Sequence, residues 1–85
     1  MVRLKDGIVR IDVDGECVVV DTDTGRYLVS NNVGNMIMAA FEKEVPEEQV
    51  VADLLDTLDV EPDRLRRDLT YFQDTLVQLD LAYRV

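Results

Sequence analysis

The chain is 85 residues long and carries a formal net charge of -9, with 18 acidic against 9 basic residues, no histidine and one cysteine. That length makes one domain with a small core, and 47% hydrophobic with 32% charged residues is a folded, globular composition. The charge opposes the phosphate polyanion of nucleic acids, the lone Cys17 excludes an internal disulfide, and no apolar run reaches the roughly 18 residues of a membrane span.

Met1 to Asp6 is charged and leads into no apolar h-region, so no signal peptide is expected. With its unpaired cysteine, the protein reads as cytoplasmic. Val9, Ile11 and Val13 alternate with Arg10 and Asp12, the period of a half-buried strand. Asp14-Gly15 follows, the dipeptide of a tight hairpin, and Cys17 to Val20 is an apolar second strand. Asp21-Thr22-Asp23-Thr24-Gly25 is a longer turn, with Gly25 suited to a positive φ, before a third strand over Arg26, Tyr27, Leu28 and Val29. Short connections favour an antiparallel meander in the order one-two-three, which leaves the third strand on an edge.

Three helices are predicted after it. Ser30, Asn31 and Asn32 offer caps to a helix with Val33, Ile37, Ala40 and Phe41 on one stripe. Pro46 before Glu47 and Glu48, and Pro62 before Asp63, stand where first helical turns accept proline and acids. The second helix shows Val50, Val51, Leu54, Leu55 and Leu58. The third shows Leu65, Leu69, Phe72, Leu76 and Leu79, a spacing that lays one apolar stripe along it. One sheet plus three helices is an α+β domain, read here as a single unit over residues 1–85.

Catalytic equipment is missing. Without histidine the commonest general base and metal ligand is gone, and Cys17 sits inside an apolar strand as a small hydrophobe. Asp12-Val13-Asp14-Gly15 resembles the nucleophile motif of haloacid-dehalogenase-like phosphatases, but lacks that chemistry's larger sheet and downstream partners; a hairpin turn is the simpler reading. Asp21 to Gly25 resembles the start of a calcium loop, yet its glycine comes one place early and no Glu closes the ring. No catalytic residue, metal or cofactor is therefore expected. Arg64, Arg66 and Arg67 open the last helix as a DNA-recognition helix would, or else pair with Asp63 and Asp68 on a solvated face; the net charge favours the second. Tyr27, Leu28 and Val29 carry none of the Lys, Pro or inward charge that normally blunts an exposed edge, and only Arg26 guards the entry. Such an edge either accepts a partner strand or is protected by its shortness.

Together these parts resemble a known family. Val18-Val19-Val20-Asp21, Thr24-Gly25-Arg26-Tyr27, then Asn31 and Gly34 before an apolar helix, are similar to precursor-peptide recognition domains, as are Asp68, Phe72, Leu76 and Leu81 at the end of the chain. These domains serve pathways for ribosomally made, modified peptides and include the small chaperone of pyrroloquinoline quinone synthesis. The Asp-Thr-x-Thr-Gly-Arg-Tyr stretch is nearer the stand-alone leader-binding protein of lasso-peptide pathways. Two positions depart from the pattern: Ser30 stands where the family usually has Leu, and Asp80 where Gly commonly precedes the final leucine.

The resemblance implies a winged-helix-like fold of three antiparallel strands and three helices. The leader of a precursor peptide would lie as a fourth strand on the third strand, its side chains in a groove beside the last helix. The bound leader would be presented to a separate leader peptidase, and the core peptide passed to a cyclase. At 100° per residue, Arg64, Asp68, Tyr71 and Thr75 form one flank of the last helix beside its core stripe, with Arg66, Gln73 and Val77 on the other. The first flank holds the amphipathic Tyr71 and the family-matching Asp68, and is the one expected to meet the leader. Arg67, just outside it, is placed to reach a leader carboxylate. In the competing reading Tyr71 only caps the core edge. The expected role is a leader-binding adaptor, with no nucleic-acid or membrane partner; the alternatives are an acidic winged-helix DNA-binding or regulatory protein and an unrecognised hydrolase.

Overall fold

Residues 1–85 are described by a computed structural model. Its central sheet is an antiparallel meander of β2 (Ile8–Val13), β3 (Glu16–Asp21) and β4 (Tyr27–Ser30), paired in the order β2-β3-β4; β1 (Val2–Leu4) precedes it. Val13 pairs with Glu16 across the first turn, where Asp14 and Gly15 both have positive φ (52° and 84°), the twist that a two-residue hairpin requires. In the second turn the Asp21 carboxylate accepts the Asp23 N–H at 2.9 Å, and Gly25, at φ 78°, returns the chain toward β4. Arg26 belongs to this turn and not to the strand.

Three helices follow: α1 (Asn32–Glu42), α2 (Glu47–Thr57) and α3 (Pro62–Gln78). Asn31 caps α1, its side chain accepting the Val33 N–H at 3.1 Å. Pro46 is the cap of α2, one place before its first turn, whereas Pro62 is the first residue of α3 as expected. The core joins Cys17 and Val19 of β3 to Ile37, Met38 and Phe41 of α1, Val50, Val51 and Leu54 of α2, and Leu65, Leu69, Phe72 and Leu76 of α3. Val33, Ala40, Leu55 and Leu79 are only partly buried at its margin. Helix α1 lies so close to the sheet that a Cβ on Gly34 would stand 2.9 Å from Ser30 Oγ and 3.2 Å from Cys17 Cβ.

Two features depart from the sequence reading. First, a second sheet exists: β1 pairs antiparallel with β5 (Ala82–Arg84), placing Val2 opposite Arg84 and Leu4 opposite Ala82. Three-residue strands have no periodicity to read; this pair is held by tertiary burial of Val2, Leu81 and Ala82. Second, Gln73, placed by its spacing on the flank of the last helix with Arg66 and Val77 and outside the core stripe, is 2% exposed. Its Nε2 donates to Glu47 Oε1 at 2.8 Å, so an α2 carboxylate offsets the burial of that amide nitrogen.

Asp80 explains its own departure from the family pattern. Leu81 N–H donates to Leu76 O and Asp80 N–H to Val77 O, both at 3.0 Å, a Schellman closure of α3 with Asp80 at φ 61°. Glycine suits that left-handed position, and Asp occupies it while pairing with Lys5.

Candidate functional site

Strand β4 has β3 on one side and nothing on the other. Its free groups follow from the ladder. Asp21 N–H donates to Arg26 O at 2.8 Å, and the same register pairs Val20 with Tyr27, Val19 with Leu28, Val18 with Val29 and Cys17 with Ser30. Hydrogen-bonded pairs alternate in an antiparallel ladder. Arg26, Leu28 and Ser30 thus bond to β3, while Tyr27 and Val29 turn their N–H and C=O groups to the open edge. Asn31, still extended at φ -73° and ψ -179°, continues the outward set with its N–H.

The opposite edge is different. Arg10 of β2 lies opposite Val19 on the inner face, donating to both carboxylate oxygens of Glu42 at 3.1 Å and to Asn35 Oδ1 at 3.2 Å. An inward-pointing charge on an edge strand discourages further pairing. The edge of β4 has no such guard.

Alongside that open edge runs a groove of about 570 Å³. Leu28 and Val29 form its strand wall, Val33, Gly34 and Ile37 of α1 its end, and Leu65 and Phe72 of α3 its apolar floor. Leu58 and Val60 close it from the α2–α3 connection, and Arg64, Asp68, Tyr71 and Thr75 form the α3 rim. The predicted flank is therefore brought together with two of the predicted strand residues. Tyr71 is 74% exposed, an aromatic ring standing at the rim and not capping the core. Arg64 Nε lies 3.9 Å from Asp68 Oδ2, and Arg66 Nη1 lies 3.7 Å from Asp63 Oδ1, so these bases are balanced along their own helix. Arg67 is exposed and does not line the groove, nor do Arg26 and Tyr27; Tyr27 serves the edge through its backbone.

Val33, Ile37, Leu58 and Val60 belong to the groove; the sequence placed the first three on the apolar stripes of their helices and assigned none of the four to a binding site. The apolar pair Leu58 and Val60, straddling Asp59 in a connection otherwise rich in acids, was the available signal. Cys17 is buried, and that burial pushes its thiol pKa up, away from nucleophilic use. No cluster of three metal-ligating side chains is present, and no helix is long and apolar enough to cross a membrane.

Comparison with known proteins agrees with this geometry. Residues 16–82 match the family described as Coenzyme PQQ synthesis protein D (PqqD). Among solved structures, the chain is similar to "TbiB1 in Complex with the TbiA(beta) Leader Peptide", with 26% identity, a TM-score of 0.79, and 98% of this chain and 99% of that one covered. No curated protein matches the chain.

Proposed function

The chain belongs to the family of Coenzyme PQQ synthesis protein D, and from that premise we propose that it is a non-catalytic adaptor that binds the leader of a ribosomally made precursor peptide. The observation that carries this reading is the unguarded edge of β4 running beside an apolar groove. A leader added there gains main-chain bonds from the edge and side-chain selectivity from the groove. The likeness to TbiB1, which is solved with a leader peptide, supports the same reading.

In this proposal residues 1–85 act as one recognition domain in the cytoplasm, in a lasso-type maturation pathway. Tyr27, Leu28 and Val29 receive the leader strand, and Arg64, Asp68, Tyr71 and Thr75 hold its groove-facing side chains, with Arg26 and Arg67 as outlying contacts. A separate peptidase would cleave the presented leader, and a cyclase would receive the core. The absence of histidine and the burial of the one thiol support a binding role.

The test is fluorescence anisotropy of a labelled leader from a candidate precursor peptide, titrated with folded protein. Saturable binding is expected. A flat titration, or cleavage of the precursor by the purified protein alone seen by mass spectrometry, would end the adaptor reading.

A further inference from the structure

The groove takes only one face of an added strand, and the pairing defines what the other face meets. On the outer face of the sheet, register places Val9, Val20 and Tyr27 in one row and Ile11, Val18 and Val29 in the next. Both rows are wholly apolar or aromatic, yet Tyr27 is 64% exposed and Val29 46% exposed at their open ends. The inner face at β4 is instead given by Leu28, opposite Val19.

A strand laid on β4 through the outward N–H and C=O groups of Tyr27 and Val29 places residues directly opposite both of them. Side chains directly opposite each other share a face whichever direction the added strand runs, with Cβ atoms about 4.5–5.5 Å apart in an antiparallel pair. Alternate leader residues must therefore extend the two outer rows, while those between them enter the groove.

Resting on the leader-binding reading above, we infer that the outer sheet face is a second selectivity surface for the same leader: Tyr27, which lies wholly outside the groove, and Val29, which stands where the groove wall meets the outer face, select apolar or β-branched side chains at two alternate positions. The occupant is the added strand itself, because it continues the ladder and covers the exposed ends of both rows. An acidic or strongly hydrated residue at either position would be held against an apolar neighbour on a protein of charge -9. The leader segment is thus apolar on both faces over its paired length, unlike a strand that meets only a groove.

The experiment has two halves, each read by anisotropy with the labelled leader. Tyr27→Thr and Val29→Thr keep strand propensity and leave the main-chain bonds in place. Each should weaken binding roughly threefold, and the double variant roughly tenfold. Val9→Thr, at the far end of a row, should leave it unchanged. Serine substitution along the leader should then reveal sensitive positions of both parities, one set answering to Tyr27→Thr, the variant outside the groove, in double-mutant cycles and the other to Tyr71→Ala. If only one parity is sensitive and the Tyr27→Thr, Val29→Thr protein binds normally, the outer face selects nothing and this inference fails while leader binding stands. No binding by the unaltered protein would sink both.

Discussion

Leu28 and Val19 form a hydrogen-bonded pair at the centre of the β3–β4 ladder, which fixes Leu28 as the one residue of the Tyr27-Leu28-Val29 run whose backbone belongs to the domain itself. Its neighbours hold the opposite backbone polarity and face an empty edge. In the proposed function, folding and leader binding are thereby divided between adjacent residues.

Proline separates the two roles, because it removes one N–H at a time. Leu28→Pro should break a ladder bond and displace an inward side chain, destabilising the domain by about 1–3 kcal/mol, seen as a lowered unfolding midpoint by circular dichroism. Val29→Pro should stay folded and lose one outward donor, weakening leader binding about fivefold or more by anisotropy. If Val29→Pro unfolds the domain while Leu28→Pro does not, the assigned ladder polarity is wrong.

Much of this was legible beforehand, and the misses have physical causes. The hairpin at Asp14-Gly15, the edge position of β4 and the stripe through Leu65, Leu69, Phe72 and Leu76 rest on local chemistry that a sequence displays directly. The ladder polarity of Leu28 did not, since alternation fixes the period of a strand but not its phase. The groove was half visible: the flank Arg64, Asp68, Tyr71 and Thr75 follows from helical spacing, whereas Val33, Leu58 and Val60 reach it only through the packing of three helices. Strands β1 and β5 were invisible because 81 residues of intervening chain separate Val2 from its partner Arg84, and local propensity says nothing at that range.

Tyr71 should separate groove from core. At 74% exposure it contributes little to the core, so Tyr71→Ala should leave the melting temperature close to that of the parent. Leader affinity should fall on the order of tenfold, since aromatic anchors dominate such contacts. A Tyr71→Ala protein that binds normally would remove α3's rim from the site.

Acid should loosen the turn that presents β4. The Asp21 carboxyl is held below the usual carboxylate range, first by the Asp23 backbone N–H and then by the Thr24 hydroxyl. A folded-state pKa lower than the unfolded one means the contribution is fully present above the unfolded value and is lost as pH falls through the folded one. Asp80 is lowered in the same direction, chiefly by its hydrogen bond from Lys5. Denaturation midpoints should therefore be flat near neutrality and decline below the ordinary carboxylate range. Asp21→Ala should start lower at neutral pH and decline less. An equal decline in both proteins would show that Asp21 takes no part.

The end of α1 offers a test of backbone against charge. Glu44 sits at φ 61° in a Schellman closure, where Val45 N–H donates to Ala40 O at 3.0 Å and Glu44 N–H to Phe41 O at 2.9 Å. Its side chain pairs with Arg3 of β1, but both partners are exposed, at 69% and 45%. An exposed pair contributes about 0–1 kcal/mol, whereas a left-handed conformation costs a non-glycine residue about 1–2 kcal/mol. Relief of the backbone should win. Glu44→Gly should be about 1 kcal/mol more stable than the parent, near 4–8 °C in melting temperature for a domain this size. Glu44→Ala keeps the strain and loses the pair, so it should fall slightly below the parent, and Glu44→Gln should isolate the charge. If Glu44→Gly is as unstable as Glu44→Ala, the pairing with Arg3 anchors β1 more strongly than its exposure implies. Leader affinity should be unchanged in all three, because this closure lies at the far end of α1 from the Gly34 and Ile37 wall of the groove.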